Sequence, residues 1–261
     1  MPVFRTEAIV TRSLPYGESD RILTFFTRDF GKLKGVAKGA RRSRKRFQNA
    51  LGLFTYLRLI FFDREGMGLV RVEGADVLHG FPNIRESLKR FYYGSYYLEL
   101  INEMAGEREA NQEAFELLFS FLSDLELEEP KEEWLRMFEV RILSLFGYRP
   151  HLIRCGLCQR EWKELEGEPH LFFSIEKGSL VCGPCSKGYN NLYPLSLGTA
   201  RLIDEISQLD LKRLSRLRFT PQALTESREF LPRFVEHELG KELKSLKTLK
   251  SLKEMSGFKT L

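Results

Sequence analysis

Five segments of strand character crowd into the first eighty residues, with no length left between them for crossover helices. "TEAIVTRSL", "RILTFFTRD", "GKLKGVAKG", "LFTYLRLIFFDR" and "LVRVEGADVLHG" are rich in β-branched and aromatic residues. Turn-forming "PYGESD" and "DREGMG" separate two of the pairs. Parallel strands need long crossovers, so this spacing predicts a small antiparallel barrel over 1–80. An OB-type barrel matches best and an SH3-like barrel is the alternative.

The period changes at Pro82. "PNIRESLKRFYYGSYYLELINEMA" recurs at helical spacing, and "NQEAFELLFSFLSDL" and "KEEWLRMFEVRILSLFG" follow as two further helices. Asn111 and Pro130 stand near their starts. Residues 150–195 are rich in Gly, Pro and Cys and suggest loops and short strands. Helical pattern returns over 196–261, where Ser196 is a candidate N-cap and Pro221 follows Thr220 at a first-turn position. The expected class is α+β: an N-terminal OB-type antiparallel β-barrel (1–80), then an all-helical domain (81–149 and 196–261) carrying an inserted four-cysteine zinc module (150–195). The terminal "SLKTLKSLK" places a leucine every third residue. Each step turns about 300°, so the stripe should drift and leave a frayed basic helix end.

Charge is segregated along the chain. The net charge is +5, yet residues 1–50 carry twelve Lys/Arg against four Asp/Glu, and residues 103–133 carry eleven acids against two bases. The last twenty-one residues hold six lysines and two glutamates. A basic head on an acidic middle points to a polyanion site on the head. The acidic run itself reads as a solvated helix face. No apolar run approaches the roughly 18 residues of a membrane span. The opening "MPVFRTEAIVTRS" lacks the apolar core of a secretory signal, so the expected compartment is the cytoplasm.

All four cysteines lie in two knuckles, "CGLC" at 155–158 and "CGPC" at 182–185, with twenty-three residues between them. Cys155, Cys158, Cys182 and Cys185 offer four thiolates to one tetrahedral ion, and one structural Zn²⁺ is the favoured occupant. The spacer is longer than in common zinc ribbons but holds a candidate hairpin, "LFFSIEKGSLVC". "CGPC" also resembles a thioredoxin-type redox motif, which expects a lone pair in a βα setting; disulfides are the other rival. His151 and His170, nearby, read as loop or surface residues.

The densest charge is "KGVAKGARRSRKRFQ". Lys32, Lys34, Lys38, Arg41, Arg42, Arg44, Lys45 and Arg46 fall within fifteen positions. Guanidinium forks grip phosphates in bidentate fashion and lysines act as point charges, so this stretch is the candidate nucleic-acid surface. Phe25, Phe26 and Phe30 read as barrel core. Phe47 leaves the basic run and is the candidate for stacking on a base. A nuclear-import label is a weaker reading of the same residues. Signatures of phosphate-binding loops, metalloproteases and nucleophile elbows are lacking, and we expect a protein that is not an enzyme.

In order along nearly the whole chain, several stretches resemble the RecO family of bacterial mediators of DNA repair and recombination. They are "EAIVTRSLPYGESDRILTFFTRDFGKLKGVAKGARRSRKRF", "FEVRILSLFGYRPHLIRCGLC", "CGPC" with the following "YPLS", and "HELGKELKSL". Some members lack the full cysteine set; this chain keeps all four. The resemblance implies an N-terminal OB-fold, a helical domain and a zinc module. It implies binding of single- and double-stranded DNA, annealing of complementary strands, and partnership with RecR and with the acidic tail of single-stranded-DNA-binding protein. These steps help load RecA onto coated single strands in the bacterial cytoplasm, at the nucleoid, with no nucleotide hydrolysis. Lys38, Arg41, Arg42, Arg44, Lys45 and Arg46 are expected to form much of the annealing surface. Arg136, Arg141 and Arg149, on an apolar helix and its end, are candidates for gripping the partner tail, with a structural ion pair as the other reading of Arg141. The alternative function is a zinc-stabilised assembly adaptor that binds DNA weakly. A zinc-ribbon oxidoreductase or nuclease is more distant.

Overall fold

A computed structural model describes residues 2–255 apart from 44, 45, 48, 64–67, 169 and 215. Its internal contacts fall into two compact units, Met1–Glu129 and Pro130–Leu261. The break lies inside the stretch 81–149, so the first helices belong with the strands.

In the first unit β1 (Val3–Tyr16), β2 (Asp20–Thr27), β3 (Gly31–Ala37), β4 (Tyr56–Phe62) and β5 (Val70–His79) form a closed barrel in the order β1-β2-β3-β5-β4. The expectation of a wholly antiparallel barrel is corrected: β3 and β5 run parallel, pairing Gly35 with Val70 and Val36 with Arg71. The reason is geometric. Five strands closed in a ring cannot alternate direction at every seam, so one seam must be parallel. Ala8, Val10, Leu23, Phe25, Leu33, Leu57, Leu59 and Phe61 fill the interior, as strict alternation along each strand requires.

One irregularity matters for the surface. The β1–β2 register skips Thr11, so that Val10 pairs with Phe25 and Arg12 with Thr24. The extra residue reverses which face the following side chains occupy. Without it, the inward parity of Ala8 and Val10 would carry Leu14 and Tyr16 into the barrel. With it they point out and are 60% and 57% exposed.

The helices of this unit are α1 (Pro82–Glu86), α2 (Leu88–Met104) and α3 (Gln112–Leu127). The single helix expected over 82–105 is broken at Ser87, whose extended backbone lets its hydroxyl accept from the Arg90 amide at 3.4 Å. Asn111 caps α3 as expected, accepting from the Ala114 amide at 2.9 Å. Phe115 of α3 covers the outer face of β2 through Phe26 at 6.2 Å.

The second unit holds α4 (Glu132–Leu145), β6 (His151–Cys155), α5 (Trp162–Leu165), β7 (Leu171–Ser174), β8 (Ser179–Cys182), β9 (Leu192–Pro194), α6 (Leu197–Gln208), α7 (Leu211–Leu214), α8 (Pro221–Leu239) and α9 (Lys244–Met255). The four strands form one sheet in the order β6-β8-β7-β9, with β7 and β8 as the expected hairpin. The cysteine insert is therefore not an appendage on an all-helical domain. Phe173 of β7 packs against Phe230 and Phe234 of α8 at 4.4 and 5.1 Å, so sheet and helices share a core. Ser196 and Thr220 cap α6 and α8 as expected. At the start of α9 the leucine stripe is packed inward: Leu243, Leu246 and Leu249 are all buried. Three leucines at this spacing span only about 120° of helix, still within one broad apolar face.

Candidate nucleic-acid interface and metal centre

The basic run divides into two environments. Lys32 and Lys34 lie on β3 and face the acidic end of α2. Lys32 is half-buried, and its Nζ donates to the Asn102 carbonyl at 2.6 Å. Burial, more than any neighbouring charge, lowers its pKa. Lys34 is exposed and pairs with Glu107, whose carboxyl is held below the usual range chiefly by that hydrogen bond. The acidic middle of the chain thus neutralises the first two cations of the track.

Lys38, Arg41, Arg42 and Arg46 sit beyond β3 in an exposed loop. The loop is clasped to the turn between β1 and β2. The Gly39 amide donates to Asp20 Oδ1 at 2.8 Å, the Arg41 amide donates to the Ser19 carbonyl at 2.9 Å, and Arg42 pairs with Glu18 at 3.6 Å. The Gly39 amide first, then the Ser19 hydroxyl, holds the Asp20 carboxyl below its usual value. Gly39 has φ +66°, a conformation glycine adopts without steric cost. Arg46 Nη2 donates to the Lys38 carbonyl at 3.0 Å, closing the loop on itself. Arg44 and Lys45 lie outside the described residues.

Phe47 is not an exposed stacking ring. It is 4% exposed and joins Ala50 and Leu51 in the barrel core, with the Arg46 guanidinium 5.1 Å from its ring centre. Burying a full aromatic side chain outweighs leaving it beside the charges. Beside it lies a hollow of about 510 Å³ that Arg21 and Arg85 line together with Ala40, Asn49, Leu51 and Gly52. These two arginines were not singled out in the sequence, because they stand 64 residues apart and outside the basic run.

In the second unit the Sγ atoms of Cys155, Cys158, Cys182 and Cys185 all lie within 4.8 Å of one another. A tetrahedral ion with metal–sulfur bonds of about 2.3 Å needs sulfurs about 3.8 Å apart; Cys158 and Cys182 stand at 3.6 Å. Close approach is built in at Gly156, where a Cβ would fall 2.2 Å from Ser179 Oγ. The four residues can hold one metal ion. Sequence reasoning missed Arg160, which donates from Nη2 to Cys182 Sγ at 3.0 Å and from Nε to Cys158 Sγ at 3.5 Å. Its hydrogen bond holds the Cys158 thiol down to about 6, whereas burial pushes Cys185 up to about 12. The only sequence signal for Arg160 is its place two residues after the first knuckle. His151 and His170 are exposed.

The three arginines expected at a partner groove are engaged within the unit. Arg136 is buried and pairs with Glu139 at 2.7 Å. Arg141 is also buried and donates to the Ser207 carbonyl at 2.7 Å. Arg149 pairs with Asp204 at 2.6 Å. Helix α4 is covered by α6 and α8, so its first two arginines are interior. This corrects the expectation of a groove rim for Arg136 and Arg141; the Arg149 side chain, 34% exposed, keeps an accessible edge beside its ion pair.

Comparison with known proteins accounts for nearly the whole chain. The family model "Recombination protein O N terminal" matches residues 1–81 and "Recombination protein O C terminal" matches residues 85–247. The chain belongs to the RecO family. It is 39% identical to the DNA repair protein RecO of Syntrophus aciditrophicus over 245 residues, 93% of each chain. It is 34% identical to the protein of the same name from Anaeromyxobacter sp. strain K, over 90% of this chain and 91% of that one. It is 32% identical to that of Thermodesulfovibrio yellowstonii, over 91% and 94%. The two family models meet within 82–84, at the end of the barrel, and both compact units belong to the matched region. Among the described residues no helix is long and apolar enough to cross a membrane.

Proposed function

We propose that this chain acts in DNA repair and recombination as a non-enzymatic mediator. It binds single- and double-stranded DNA, anneals complementary strands and, with RecR, helps load RecA onto strands coated by single-stranded-DNA-binding protein. Membership of the RecO family motivates the role. The observation that carries the mechanism is the loop of Lys38, Arg41, Arg42 and Arg46, exposed beside the β1–β2 turn while Lys32 and Lys34 are occupied by the end of α2 and the residues after it. Annealing needs no catalytic group. Two strands repel through their phosphates; a basic surface that holds both lowers that repulsion, and base pairing supplies the gain. We read the barrel as OB-type and the four-cysteine cluster as a structural zinc site closed to substrate. The cytoplasm, at the nucleoid, is the compartment this work requires.

Replacing Arg41, Arg42 and Arg44 with Ala tests the reading. Each lost phosphate contact lowers the salt slope of single-strand binding by about 0.7, so the triple change should lower it by about 2 and slow annealing. An unchanged slope with unchanged annealing sinks the assignment of this surface.

A further inference from the structure

Among the described residues, Tyr16 is an exposed aromatic ring near the clasped loop, and it is not the ring the sequence points to. The bulge at Thr11 turns Leu14 and Tyr16 outward, where they are 60% and 57% exposed. They stand two residues apart on one face of β1. Leu14 is paired with Ile22 of β2, which is paired with Val36 of β3, and Tyr16 is paired with Asp20. An apolar strip therefore crosses the outer face of three strands and ends at Tyr16. The carboxylate of Asp20, opposite Tyr16, binds the Gly39 amide of the basic loop at 2.8 Å. The basic loop is thus clasped to the residue that faces Tyr16 across the β1–β2 ladder.

We propose that Tyr16, supported by Leu14, is a stacking platform for unpaired bases of a nucleic-acid strand whose phosphates Lys38, Arg41, Arg42 and Arg46 engage. The inference rests on the DNA reading above and adds a division of labour to it. A single strand presents open base faces, and aromatic side chains beside a cationic track accept them irrespective of sequence. Bases inside a duplex present none. The loop serves both forms, and Tyr16 acts on the single strand alone, so Tyr16 distinguishes a single strand from a duplex. Arg41 and Arg42, both held at Glu18 two residues beyond Tyr16, favour a base with its phosphate over an apolar partner surface.

The test compares three labelled probes of equal length: a single strand, its duplex, and a single strand with abasic sites. Tyr16→Ala should weaken binding of the intact single strand about tenfold. It should leave the duplex, the abasic strand and the salt slope unchanged. Tyr16→Trp should restore affinity, and its added indole emission should be quenched by the intact strand and not by the abasic one. Leu14→Ser, a second exposed position, should cause a smaller loss of the same pattern. Circular-dichroism melting checks that each variant is folded. Undiminished single-strand affinity in Tyr16→Ala overturns the platform, as does an equal loss for all three probes. Absence of salt-dependent binding by the unaltered protein to any of the probes would instead overturn the DNA reading itself, so the two failures are distinct.

Discussion

The Thr11 hydroxyl donates to Oδ1 of Asn102 over 2.8 Å, joining the bulge of β1 to the buried face of α2. Both residues are buried, at 3% and 8% exposure. A bulge residue has no place in the ladder, and here its hydroxyl has two acceptors within reach, the Asn102 side chain of the helix and, at 3.1 Å, the Thr24 carbonyl of β2. Because that bulge sets the outward direction of Leu14 and Tyr16, the contact reaches from the packing of the first unit to its surface.

Thr11→Val removes the hydroxyl at nearly constant shape and leaves the Asn102 side-chain oxygen without this donor. The expected loss is about 1–3 kcal/mol of unfolding free energy in urea titration. Asn102→Ala should couple to it in a double-mutant cycle by more than about 0.5 kcal/mol. Additive effects would show that the two side chains act independently.

Asp20 provides a pH dependence. Its folded pKa lies below the unfolded value of about 3.9, because the Gly39 amide and Ser19 hydroxyl favour the carboxylate. Its contribution to loop order is therefore present above that unfolded value and is lost as pH falls through the lower folded value. The Gly39 amide resonance should titrate with a midpoint below about 3.9. In Asp20→Asn that titration should vanish.

Elemental analysis should find one zinc per chain, and Cys155→Ser or Cys182→Ser should abolish it. Zinc binds thiolates, so uptake displaces the thiol protons, above all that of Cys185, which burial pushes up to about 12. Falling pH favours the thiols and opposes binding. Affinity should rise from about pH 6 to about pH 8, with protons released on binding. Chelation should lower the melting temperature, since β6 and β8 carry a ligand each at their ends.

The buried pair of Arg136 and Glu139 predicts a large single-site effect. Arg136→Met leaves a carboxylate in the interior and should cost about 3–5 kcal/mol in chemical unfolding. Arg136→Met combined with Glu139→Leu should cost less than the single change. The opposite order would show that the arginine contributes mainly through packing.

Much of the fold was legible locally. Runs of β-branched and aromatic residues between turns located all five barrel strands, helical spacing found α2, α3, α4, α6 and α8, and the side-chain chemistry of Ser196, Thr220 and Asn111 marked three helix starts. Each C-x-x-C turn brings its own two thiols together as a short-range feature, and the pairing of β6 with β8 joins the two pairs. Phe47, Arg136 and Arg141 were not legible. Whether a phenylalanine beside arginines faces water or core, and whether an arginine on an apolar helix is rim or interior, depends on which element covers it.

What the sequence alone determined is the set of elements, the knuckles and the concentration of charge, all of which arise from neighbours along the chain. Only the tertiary structure decided which of those charges meet a carboxylate from elsewhere in the chain, since Glu107 reaches Lys34 from 73 residues away. Only it decided the parallel seam of the barrel, which follows from closing an odd ring. The direction of Tyr16 belongs to the same class: one unpaired residue, Thr11, reverses the parity of all that follows in β1. The contact that holds Thr11 there comes from a helix 91 residues further on.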